Sequence, residues 1–121
     1  MSDRRPVRII LKDQAMAEFK ELKRLVAEQK EKGETNSEEM RLLKSIKQKI
    51  EVLRINPAYG DAVPHKLIPK TMDVSNLFRV SLTGYWRMLY TLAGNQLEIV
   101  AFILYIVDHR TYDGMFGYRK I

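Results

Sequence analysis

Residues 97–107 read LEIVAFILYIV, and this run narrows the possible folds more than any other stretch. Its β-branched and aromatic residues favour a strand. Neither alternate set of side chains is polar, so the strand cannot lie on a surface with one face in water. Such a pattern predicts an interior strand covered on both faces. Glu98 and the strand-like composition argue against a bilayer span.

The rest of the chain supplies the covering material. Residues 6–11 predict a first strand rich in Val and Ile. Asp13 then predicts a helix N-cap. Ala15, Phe19, Leu22 and Val26 follow at spacings of three and four, the stripe of an amphipathic helix. The stripe ends at Glu31-Lys32-Gly33. Thr35 with Glu38, or Asn36 with Glu39, predicts a capping box for a second helix. Met40, Leu43, Ile46, Ile50 and Leu53 form its stripe, and Asn56-Pro57 ends it. The short polar turn predicts an antiparallel helical hairpin.

Residues 57–76 contain three of the chain's four prolines and predict an extended loop of a length that is often functional. Residues 77–83 alternate, with Phe78, Val80 and Leu82 on one face and Arg79, Ser81 and Thr83 on the other. Gly84-Tyr85 predicts a hairpin turn. Residues 86–92 predict the next strand, with Arg87 opposite Trp86 and Met88. Residues 93–96 turn the chain into the apolar run. The expected fold is therefore α+β, in the order β-α-α-β-β-β. A helical hairpin packs on a small, mainly antiparallel sheet within a single domain spanning residues 1–121, followed by a polar and aromatic tail from Asp108.

Several chemistries lose their support at this level. Cysteine is absent, which removes disulfides, thiolate zinc sites and thiol nucleophiles. No glycine loop of a nucleotide site is present. His65 and His109 lack metal-ligand spacing, and the carboxylates form no evident acid–base pair. The N-terminal residues predict neither a signal peptide nor a membrane span. The net charge of +6 favours RNA, the ribosome, DNA or an acidic protein as partner. A cationic and imidazole set remains: Lys66, Arg79, Arg87, His109 and Arg110, with Tyr112 and Tyr118 nearby. His65 and Lys70 read as solvated. Lys44, Lys47 and Lys49 read as the polar face of the second helix.

The succession His65-Lys66-Leu67, then Phe78-Arg79-Val80, then Gly84-Tyr85-Trp86-Arg87-Met88-Leu89-Tyr90, then His109-Arg110 after the apolar strand resembles the RelE/ParE toxin superfamily. The tail His109-Arg110-Thr111-Tyr112-Asp113 is similar to the HigB branch. The chain departs from the common pattern at Thr83, where a basic residue is usual, at Asp108, where glycine is common, and at Gly114, where many members have tyrosine.

The resemblance implies a cytoplasmic toxin that cuts mRNA on the ribosome without a metal or cofactor, restrained by a cognate, acidic antitoxin. It implies a site of Lys66, Arg79, Arg87, His109, Arg110 and Tyr112. Arg79 and Arg87 would hold the phosphate, and His109 would be acid or base. Lys66 would stabilise charge or act as base. Arg110 would stabilise the leaving group, and the tyrosine, Tyr112 or Tyr118, would stack on a base or position the phosphate. Two other readings stand beside this one: a ParE-like poison of a DNA topoisomerase, and a non-catalytic binding module on the same fold.

Overall fold

A computed structural model describes residues 4–117. The apolar run becomes β5, Ile99–Asp108. β5 lies parallel to β1, Val7–Leu11, and antiparallel to β4, Trp86–Gly94. Beyond β4 come β3, Phe78–Ser81, and β2, Asp61–Ala62, giving the order β1-β5-β4-β3-β2. α1, Asp13–Glu31, and α2, Glu38–Ile55, follow β1. A short helix α3, His109–Met115, follows β5. The fold is α+β with a mostly antiparallel sheet, as expected. Relative to that expectation it gains β2 and the terminal helix.

Both faces of β5 are covered. On one face Ala15, Leu22 and Val26 of α1 and Leu42, Ile46, Ile50 and Leu53 of α2 pack on Val80, Met88, Tyr90, Ala101, Ile103 and Ile106. On the other, Leu77, Leu89 and Val107 are covered by Tyr112, Met115 and Phe116 of the tail and by Val63, Ile68, Met72 and Val74 of the loop before β3. The alternation predicted for residues 77–83 holds, because Val80 and Leu82 join the helical face.

The β4–β5 register slips between Leu89 and Tyr90: Leu89 pairs with Tyr105, but Tyr90 pairs with Ile103. Leu104 is the extra residue of a β-bulge. Ile103 and Ile106 consequently share the helical face, while Leu104, Tyr105 and Val107 serve the other.

Two side-chain amides complete the ladder where main-chain partners end. The Gln14 carboxamide donates to the Ile106 carbonyl at 3.0 Å and accepts from its N–H at 2.9 Å. Asn76 does the same for Leu92, at 3.0 and 2.8 Å. Each presents one donor and one acceptor, as a backbone unit would.

Several local expectations need correction. Lys12, not Asp13, is the N-cap of α1, and its side chain makes no capping bond. Ser37 caps α2, accepting from the Met40 N–H at 3.0 Å. Neither proposed capping box forms: the Ser37 hydroxyl donates to Gln29 of α1, whose amide also donates to Glu39 at 2.8 Å. The hairpin contact thus selects among adjacent cap-forming residues. The long loop carries β2 and two tight helical turns, His65–Leu67 and Lys70–Met72. β4 runs on to Gly94, and the turn is closed by Asn95, whose side chain accepts from the N–H groups of Leu97 and Glu98. The polar tail is helical because Asp108 caps it and Tyr112, Met115 and Phe116 fall on one face.

Tyr90 fastens the loop to the sheet. Its hydroxyl is inside the molecule, donating to the Pro57 carbonyl at 2.7 Å and accepting from the Gly60 N–H at 2.9 Å. Burial pushes the phenol pKa above its ordinary value, so the group stays neutral. A Cβ on Gly60 would come within 2.9 Å of the Tyr90 ring and 3.0 Å of the Arg79 carbonyl. Tyr90→Phe should lower the unfolding free energy by about 1–2 kcal/mol, because two part-buried backbone groups lose their partner. Urea titration beside far-ultraviolet circular dichroism would read this as an earlier midpoint with unchanged secondary structure.

Candidate active site

The second sheet face, away from the helical hairpin, carries the candidate residues. Arg79 lies on β3 opposite Leu89, and Ser81 lies opposite Arg87 on β4. This register sets the two arginines on the same face of neighbouring strands. Strand alternation thus aims both away from α1 and α2 and toward α3.

Tyr112 of α3 is where they meet. Arg79 Nη1 donates to the Tyr112 hydroxyl at 2.9 Å. The guanidinium carbons of Arg79 and Arg87 each lie 5.8 Å from the centre of the Tyr112 ring. That distance is within the range of a cation–π contact. The ring is 4% exposed and packs on Phe116 at 4.5 Å. The Asp61 carboxylate of β2 stands 3.8 Å from Arg79, and Arg87 donates to the Trp86 carbonyl at 3.4 Å. Both arginines are half-buried. Their head groups are therefore held more firmly than those of solvated side chains, and two positive forks converge on a small area.

His109 and Arg110 open α3 and are exposed. The His109 ring meets the Tyr85 ring edge-on at 5.7 Å. β4 and β5 pair Trp86 with Asp108, which brings the hairpin tip beside the start of α3. Lys66 is exposed in the turn His65–Leu67. Among the described residues, no hydrogen bond, ion pair or ring contact joins it to the arginines. Arg79, Arg87 and Tyr112 are thus brought into contact, His109 and Arg110 share α3 with Tyr112, and Lys66 sits on the covering loop. Tyr118 lies outside the described residues.

Sequence reasoning missed two members of this neighbourhood. Asp61 belonged to a stretch with no strand pattern, and only its pairing with Arg79 across β2–β3 makes it relevant. Tyr85 was assigned to a turn. The available signal was a bulky aromatic immediately after Gly84, where a small polar residue is the usual choice.

No metal cluster occurs among the described residues, and none of their helices is long and apolar enough to cross a membrane. A polar cleft of about 410 Å³ borders Arg79, Asp61, Ser81, Lys49 and Tyr59.

No protein-family model matches the chain, and no curated protein does. Among solved structures, the YoeB/ParE toxin from Agrobacterium tumefaciens aligns with 84% of this chain and 98% of its own, at a TM-score of 0.58 and 13% identity. The chain has the RelE/ParE toxin fold. Identity this low carries the architecture and not the chemistry. Within the RelE/ParE fold, this chain's own side chains must therefore speak for its activity.

Asp108 ties α3 to β5. Its carboxylate accepts from the Thr111 N–H at 2.8 Å. That bond, helped by the charges of His109 and Arg110, holds its pKa below the ordinary value. Glu18 on α1 shifts the other way, raised by burial first and by Asp108 second. A depressed carboxyl pKa adds stability above the unfolded value, and the contribution disappears as pH falls through the folded one. Asp108→Ala should cost about 1 kcal/mol at neutral pH, as loss of a helix cap does. Asp108→Asn keeps a capping oxygen without a charge, so its acid side should be flatter than that of the parent. Urea midpoints across the acidic range would measure this. The chain's one tryptophan, Trp86, pairs with Asp108, and its fluorescence would report the loosening of α3.

Proposed function

We propose that the protein is the toxin of a toxin–antitoxin pair and acts in the cytoplasm as a ribosome-dependent mRNA endoribonuclease. The observation that carries this reading is the convergence of Arg79 and Arg87 on Tyr112, which stands on the short helix that the exposed His109 opens. A phosphodiester is the ligand such a pair of forks suits, because each guanidinium matches two phosphate oxygens.

In the reaction the ribose 2′-oxygen attacks the adjacent phosphorus and the bond to the 5′-oxygen breaks. The products are a 2′,3′-cyclic phosphate and a 5′-hydroxyl. One proton leaves the 2′-oxygen and one reaches the departing 5′-oxygen. Arg79 and Arg87 bind the phosphate and offset the charge that grows in the phosphorane. His109 exchanges a proton at one of the two oxygens, Arg110 balances charge on the leaving side, and Lys66 adds charge from the loop. Tyr112 holds both guanidinium groups in place. No step calls for a metal ion.

A net charge of +6 supports an acidic antitoxin. A groove of about 660 Å³ between the helices supports an apolar contact for it, with Val26, Met40, Leu43 and Val52 beneath Lys30, Lys44 and Lys47.

The topoisomerase-poison reading draws support from the length of the hairpin, whose helices have 19 and 18 residues. Controlled expression with primer extension of mRNA 5′ ends separates the two. Translation-dependent cuts are expected, falling by about 10²–10³-fold in Arg87→Ala, the usual loss on removing one charge-stabilising donor, and likewise reduced in His109→Ala. Growth arrest with intact mRNA would instead favour the topoisomerase poison. Absence of both cuts and arrest would leave a binding module.

A further inference from the structure

We infer that Tyr85 is a stacking platform for an unpaired nucleobase, and so a substrate-positioning residue of the site; this rests on the nucleic-acid reading above. Three independent features of the hairpin tip lead there.

The first is conformational. Leu82 N–H donates to the Trp86 carbonyl at 2.8 Å, closing a tight turn over Thr83–Tyr85. Gly84 has φ 68° and Tyr85 has φ 64°. Glycine meets that requirement without cost, but an L-residue with a Cβ is disfavoured there by about 1–2 kcal/mol. A turn that wanted only closure would place glycine or asparagine at such a site.

The second is exposure. Tyr85 is 75% exposed and is the most exposed aromatic ring among the described residues. The strained residue is therefore not stabilised by burying its ring in either core.

The third is location. The ring lies 5.7 Å from His109 and is two residues from Arg87 on the same hairpin. A strand whose phosphate rests on Arg87 would carry a base past the hairpin tip, where the Tyr85 ring meets His109. Aromatic stacking accepts any base, because every base has a π-face, and it requires that the base be unpaired. The substrate class is single-stranded nucleic acid.

The test measures binding apart from cleavage. A short fluorescent 2′-deoxy oligonucleotide, which has no 2′-hydroxyl to attack, is titrated against the full chain as a single strand and as its duplex. Tyr85→Gly should keep or raise the urea midpoint, because glycine relieves the backbone strain. It should weaken single-strand binding by about 5- to 150-fold, the range for one lost stack, with duplex binding unchanged. Tyr85→Trp should stay within a few-fold of the parent. Equal single-strand affinity in parent and Tyr85→Gly would overturn the inference, as would undetectable single-strand binding by the parent or an equal loss for the duplex. Translation-dependent cleavage is scored separately. Loss of stacking in Tyr85→Gly without any mRNA cutting by the parent would remove the nuclease and leave the platform. Cutting by the parent with unaltered binding in Tyr85→Gly would do the reverse.

Discussion

The bulge at Leu104 decides what the end of β5 can do. Side chains on a strand alternate, so a shift of one residue exchanges the two faces. Before the bulge Ala101 and Ile103 lie under the helical hairpin. After it Ile106 lies there, and Tyr105 and Val107 face the other way. If these same residues alternated without the slip, Val107 would point at α1 and α2, and α3 would begin its path from the opposite side. Gln14 grips both polar groups of Ile106, directly beyond the irregularity. The displaced strand end is therefore held by a side-chain amide where β1, whose pairing ends at Leu11, no longer reaches. The part of the candidate site that follows β5 lies downstream of that fixture: the Asp108 cap, His109, and the Tyr112 ring that both arginines approach.

Two guanidinium groups beside one ring repel each other, and the neighbourhood shows how that repulsion is offset. The Asp61 carboxylate approaches Arg79, the Tyr112 hydroxyl accepts from it, and the ring's π-face attracts both. Asp61 reaches Arg79 because β2 pairs with β3, and β2 is positioned by the loop that Tyr90 fastens through Pro57 and Gly60. A buried phenol on the helical face thus governs a cation on the opposite face. The link runs through the sheet edge and not through the core.

How much of this was legible in the sequence follows from where the pattern carries register. Phe78, Val80 and Leu82 alternate with Arg79 and Ser81, so the aim of Arg79 was fixed by polarity alone. The helical stripes through Leu22, Val26, Ile46 and Ile50 were equally plain. In residues 97–107 both faces are apolar, so nothing marks the bulge, and a run with or without a slip reads the same. The N-cap of α2 was missed by one or two residues because Thr35, Asn36 and Ser37 are all good caps, and the choice rests on Gln29 across the hairpin. The tail looked irregular because Gly114 and polar residues obscure a spacing of three and four among Tyr112, Met115 and Phe116 that becomes meaningful only against β4 and β5. The meeting of Arg79 with Tyr112 spans 33 positions and depends on strand register, hairpin closure and the bulge together. The resemblance supplied a set of residues, but not their contacts: it did not say that Tyr112 would be buried, or that the open ring would be Tyr85.

On the ribonuclease reading, the balance of groups has a consequence for catalysis. Guanidinium groups stay protonated throughout the physiological range, so Arg79, Arg87 and Arg110 bind phosphate and offset charge but do not remove the 2′-proton. The Asp61 carboxylate stands 3.8 Å from Arg79. Proton transfer then falls mainly to His109. An imidazole is effective when a partner fixes its ring and tautomer, whereas the contact described for this one is the edge of an exposed tyrosine. The site is therefore well built for charge and sparsely built for proton movement. Its rate should rest on an orienting surface supplied from outside the chain, which an mRNA held in a ribosomal site can provide and a free strand in solution cannot. On that reading the same imbalance would spare the host from the isolated protein, because phosphate binding alone cuts nothing and cutting would require the strand to arrive already positioned.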